Sequence, residues 1–134
     1  MIRVVLDTNV LVSAILTSGG PSHRVMELVL RGDLQLCVDS RIEEEYREVL
    51  ARGKFSFPER EVGLLLEALL GNAQKVLAPG LPGHLPDETD RAFLEVAAAG
   101  AVEALITGNT RHYKSAASFG IRVMNPGQFL QRYQ

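Results

Sequence analysis

Asp7 closes the first apolar run of the chain, R-V-V-L-D-T-N-V-L-V-S at 3–13, and its place suits a carboxylate that does chemistry. Val4, Val5 and Leu6 read as a strand buried on both faces of a parallel sheet. Open α/β sheets bind their ligands outside the carboxyl ends of such strands. Asp7 could equally serve only to cap the helix that follows, which Thr8 or Asn9 would start and Val10 to Leu16 would continue. Three other positions argue for more. In E-E-E-Y at 43–46, a three-then-four step through Ile42, Glu45 and Val49 turns Glu45 inward and leaves Glu43, Glu44 and Glu48 to solvent. In P-D-E-T-D at 86–90, Asp90 heads the stripe Asp90, Phe93, Leu94 and Ala97, where a carboxylate is costly unless paired or bound to metal. Asp87 suits a helix N-cap, with a second role at the site kept open, and Glu88 suits the first turn. Thr107 and Asn109 stand at the end of another apolar run, both short oxygen donors. Asp7, Glu45, Asp90 and Asn109 would crowd one sheet edge. Like charges so placed repel, and oxygen ligands favour Mg²⁺ or Mn²⁺ over Zn²⁺ as the ion that relieves them.

The elements that must position these groups alternate along the chain. A second helix is expected to run from a Ser22 cap to Leu30, a second strand over Leu34–Val38, and a third helix over Arg41–Ala51 behind an Asp39-Ser40 cap. A fourth helix opens at Pro58 and Glu59 and stops at Gly71, with Val62, Leu65, Leu66, Leu69 and Leu70 at helical spacing. Lys75–Ala78 reads as a short third strand, and P-G-L-P-G-H-L-P at 79–86 as a surface loop leading to the site. A fifth helix over Asp87–Ala99 ends at Gly100. Strands over Ala104–Ile106 and Ile121–Met124 follow, with a partly helical stretch, Thr110 to Ser118, between them. A terminal helix starts at Pro126. Strand–helix alternation implies an α/β fold: a three-layer α/β/α sandwich around a mostly parallel sheet of about five strands.

The 134 residues suit a single domain, 1–134, and 46% hydrophobic with 22% charged residues is a globular balance. No apolar stretch is long enough to cross a membrane, and the chain enters a strand at once rather than a signal peptide. Cys37, the lone cysteine, excludes an internal disulfide and reads as a core thiol, which fits a cytoplasmic setting. A net charge of −2 excludes a broadly basic coat for nucleic acid but not a local basic rim around an acidic centre.

Taken together, V-L-D-T-N-V-L-V-S at 5–13, E-E-Y-R-E-V-L at 44–50, D-E-T-D-R-A-F-L at 87–94 and A-L-I-T-G-N at 104–109 resemble the PIN-domain nucleases. Within that family the pattern looks closest to the VapC-like toxins of toxin–antitoxin systems. The resemblance implies a PIN-like fold and a metal-dependent endoribonuclease that uses a metal-activated water. It implies Asp7, Glu45 and Asp90 as metal-binding acids, with Asn9, Ser13 and Thr107 as polar support. It also implies RNA as substrate, a small antitoxin covering the site, and a homodimer. The departure is Asn109, where many PIN domains carry an acid. An amide supplies no charge, so one or two ions remain possible, and Asp87 could restore a carboxylate.

Two rival classes share these residues. Asp7 at a first-strand end also suits an aspartyl nucleophile in phosphoryl transfer, although such enzymes normally want an aspartate where Asn9 stands. A non-catalytic RNA-binding or interaction domain would retain the fold alone. An acidic RNA enzyme needs cations near its centre, and T-R-H-Y-K-S at 110–115 supplies Arg111, His112 and Lys114. Arg111 and Lys114 are expected to hold phosphates, Tyr113 to stack on a base, and Arg91 to extend the rim. Failing that, Arg41, Arg47 and Arg52 of the third helix offer a second basic face.

Overall fold

The structure, a computed structural model, describes residues 1–133. Five parallel strands form one sheet in the order β3-β2-β1-β4-β5, with β1 (Ile2–Leu6) at its centre. Val4 of β1 pairs with Leu36 of β2 (Leu34–Val38) on one side and with Ala104 of β4 (Ala104–Ile106) on the other. The edges are short: β3 is Gln74–Lys75 and β5 is Val123–Met124. Val4, Val5 and Leu6 are fully buried, as a central parallel strand covered on both faces must be.

The helices that cover the sheet are α1 (Thr8–Leu16), α2 (Pro21–Leu30), α3 (Ser40–Leu50), α4 (Glu59–Gly71), α5 (Arg91–Ala99) and α6 (Pro126–Tyr133). The arrangement is the expected α/β/α sandwich. Helix α5 packs across β1, β2 and β4, while α2 lies against β2 and α6 against β4 and β5. Cys37 is fully buried in β2, in contact with this core.

Several boundaries differ from the sequence reading, each for a local reason. Helix α2 begins two residues early, because Pro21 fits the first helical position and Gly20 rather than Ser22 takes the cap. Pairing of β3 stops at Lys75, although Val76 still donates to the Val38 carbonyl at 3.0 Å. The prolines and glycines from Pro79 onward cannot extend a ladder. The first turn of the fifth helix is a 3₁₀ turn, Glu88–Asp90, capped by Asp87. The stretch Thr110–Phe119 is two 3₁₀ pieces that meet at a break at Tyr113, where φ is −116° and ψ 36°.

Candidate active site

Asp7 takes the N-cap position of α1 with the extended backbone of a cap, φ −63° and ψ 147°, yet its carboxylate makes no capping hydrogen bond. The amides of Thr8 and Asn9 face it without reaching capping geometry. Capping is therefore not what holds Asp7. Its Oδ2 accepts from the hydroxyl of Thr107 at 2.8 Å and from that of Tyr113 at 3.0 Å, with the Asn9 amide at 3.4 Å. The side chain is almost fully buried, and burial raises its pKa against the pull of those donors.

Asp90 lies at the head of the buried stripe predicted for it, with Phe93, Leu94 and Ala97 buried behind it. Burial and then the negative charge of Asp7 push its pKa up to about 6. Its Oδ2 takes the Nδ1 of His112 at 2.8 Å, and the Nε2 of that ring meets the Asn109 amide, also at 2.8 Å. Tyr113 sits between the two acids. Its proton is held on by burial and by the charges of Asp7 and Asp90.

Glu45 stands on the shoulder of α3 rather than on its inward face, which Ile42, Tyr46 and Leu50 form at a four-residue step. Its Oε2 accepts from the Thr8 hydroxyl at 2.9 Å; burial, and to a lesser degree the charge of Asp7, raise its pKa. Tyr46 beside it donates to the Leu6 carbonyl at 2.6 Å, which ties α3 to the end of β1. Glu43, expected in solvent, is half-buried and paired with Lys75.

The polar support is partly as expected. Thr107 is fully buried; besides donating to Asp7 it accepts from the Asn109 backbone at 3.0 Å. Asn9 accepts from the Gly108 backbone at 2.9 Å, joining the turn after β4 to the turn after β1. Ser13 is exposed, one turn beyond Asn9, and among the described residues it makes no side-chain bond to an acid.

Three assignments change. Asp87 is exposed, and its Oδ1 accepts from both the amide and the hydroxyl of Thr89, at 2.9 and 2.7 Å. It is a cap, outside the buried pair. Tyr113 is 2% exposed, so its ring cannot stack on a base. Arg91 is not a rim residue: it binds Glu88 at 2.7 Å and donates to the carbonyls of Leu81 and Gly83 at 2.8 and 2.6 Å. It staples the 79–86 loop to α5. Arg111 and Lys114 remain as expected, exposed and, among the described residues, outside any ion pair.

Thr8, Tyr46 and the Asp90 contact of His112 escaped the sequence reading. Tyr46 carried a usable signal, since a tyrosine in step with Ile42 and Leu50 must find a partner for its hydroxyl.

The donor chemistry fits a hard divalent cation. Among the described residues no three acidic, imidazole or thiol side chains converge as a ready-made cage. Mg²⁺, however, usually keeps several waters and binds through one or two carboxylates. Asp7 and Asp90 supply two, both desolvated, with the charge of Asp7 adding to the cost of ionising Asp90, which is the electrostatic deficit a cation removes.

A comparison with protein families matches residues 3–111 to the PIN domain, a span that takes in Asp7, Glu45, Asp90 and Asn109. A search of the curated proteins gave no match. With the match covering most of its length and the acids set at the carboxyl edge of a parallel sheet, the chain belongs to the PIN-domain family and has a nuclease fold.

Proposed function

We propose that the protein is a Mg²⁺- or Mn²⁺-dependent endoribonuclease. The observation that carries this reading is the pair Asp7 and Asp90: two buried carboxylates held by the hydroxyls of Thr107 and Tyr113 and by the imidazole of His112, with no Lys or Arg bonded to either among the described residues. A structural pair of acids would be neutralised by a cationic side chain. Asp7 and Asp90 would hold the ion, with Glu45 at the margin. When bound, such an ion acidifies a water and neutralises charge that builds on a phosphodiester. Thr107 and Tyr113 aim Asp7 and favour its ionised form, Thr8 aims Glu45, and the exposed Arg111 and Lys114 draw the phosphate backbone over the acids.

Placement as a VapC-like toxin, inhibited by a small antitoxin and working as a homodimer in the cytoplasm, rests on the motif resemblance alone. Co-expression with the product of a neighbouring small reading frame tests it: rescue of growth supports the toxin reading, and unimpeded growth without that partner counts against it. For the nuclease itself, purified protein should cut RNA with Mn²⁺ and fall to background in EDTA. Asp7→Asn, Asp90→Asn and Glu45→Gln should be folded and inactive. Unchanged turnover in folded Asp90→Asn would remove the central assignment.

A further inference from the structure

The segment from Thr107 to Tyr113 does more than supply a basic rim. It reaches both acids: Thr107 and Tyr113 hold Asp7, and His112 holds Asp90. The His112 ring is fixed at both nitrogens. The Asn109 amide nitrogen faces Nε2 at 2.8 Å, so Nε2 accepts, and the single proton of a neutral ring must lie on Nδ1, where it is donated to Asp90 Oδ2 at 2.8 Å. Asn109 is itself pinned, its backbone amide donating to Thr107 Oγ1 at 3.0 Å and its carbonyl accepting from the His112 amide at 3.2 Å.

We propose that His112 is the positioning residue of Asp90 and that Asn109 sets its tautomer, so that the asparagine at 109 serves an imidazole rather than a cation. The inference rests on the proposed metal role of Asp90. It gives the amide at 109 a task an aspartate could not perform: a carboxylate there would accept from Nε2–H and so demand that the proton leave Nδ1 or that the ring become cationic. Partners that orient a ligating group typically change metal affinity or activity by about 10–100-fold when removed.

The test separates this inference from the function it builds on. Nitrogen-15 NMR of the metal-free full chain at about pH 8, where an ordinary histidine is neutral, should show the His112 proton on Nδ1. Mn²⁺ titration calorimetry should then show affinity down about 10–100-fold in His112→Ala. His112→Asn, whose amide nitrogen stands where Nδ1 stood, should recover most of the loss. Melting curves establish that each variant is folded. A proton on Nε2, or parental Mn²⁺ affinity in folded His112→Ala, would overturn the inference. A parent chain with the Nδ1 tautomer that takes up no Mn²⁺ would instead overturn the metal reading, and with it any metal-directed role for His112.

Discussion

Two acidic clusters meet on α5 and its leading turn, and they are built in opposite ways. Asp90, with Asp7 and Glu45 nearby, looks toward the end of β1 and is surrounded by hydroxyls, an imidazole and an amide; all three acids are pushed up in pKa, first by burial. Glu95, five residues on, is equally buried. It accepts from Arg41 and from the Leu81 amide, each at 2.8 Å, and lies 3.7 Å from Arg91. Burial alone would raise its pKa, but the Leu81 amide and the two guanidinium groups outweigh it and the net shift is downward. Arg41 is in turn shared with Asp39, the cap of α3. Glu95 comes with its cations; Asp7, Glu45 and Asp90, the acids of the proposed site, have no Lys or Arg bonded to them among the described residues.

Substitutions sharpen or break this contrast. Glu95→Ala should destabilise the fold by about 2–3 kcal/mol, because it strands the Leu81 amide and loosens two half-wet arginines. A urea midpoint at the parental value would show that the knot is ornamental. The acid site has no such cation of its own, and under the proposed function Arg111 and Lys114 hold phosphates; Arg111→Ala with Lys114→Ala should then reduce the salt dependence of RNA binding by about one unit of slope per lost phosphate contact, with Mn²⁺ affinity unchanged. An unaltered slope would move the RNA track to Arg41, Arg47 and Arg52. Asp90→Asn should act against the Glu95 variant, stabilising metal-free protein by about 1 kcal/mol, since it removes a charge that costs more folded than unfolded. Loss of stability in that variant would mean the site is held together by its charges, contrary to the contrast.

The same difference carries opposite signs in pH. The folded pKa of Asp90 is raised from 3.8 to about 6, so across that window the native state holds the extra proton. Metal-free stability from this group is greatest at the acid end and falls as pH rises to about 6. Glu95, whose folded pKa is lowered from 4.5, contributes stability above that value and loses it as pH falls further. Denaturation curves of the parent, Asp90→Asn and Glu95→Gln from about pH 7 down to about pH 3 should separate them. Parallel curves for the parent and Asp90→Asn would show that Asp90 is not perturbed.

What the sequence revealed of this followed from periodicity and strand ends. Asp7 was visible because it interrupts an apolar run where a parallel strand must stop, and Asp90 because it heads a buried stripe. Glu45 was half-visible: its distance from Ile42 placed it near the inner face, but the true face steps through Tyr46 and Leu50. The basic run misled, because Arg111, His112, Tyr113 and Lys114 are adjacent in sequence yet have different fates. Only Arg111 and Lys114 point to solvent; the 3₁₀ path and its break at Tyr113 turn the other two onto the acids. Glu95 drew no notice within R-A-F-L-E-V-A-A-A, although an ionised group amid five other buried helix positions had to find a partner. Its partners, Arg41 and Leu81, lie 54 and 14 residues away.

The bonds on Asp7 have a consequence in time. Thr107 and Tyr113 lie 100 and 106 residues further along the chain. During synthesis Asp7 emerges long before the hydroxyls that aim it, and loops of that span close late because they restrict the chain before any contact rewards it. An incomplete chain thus carries Asp7 without its holders. The setting of Asp7 is complete only when the stretch after β4 has been made and has folded back onto β1.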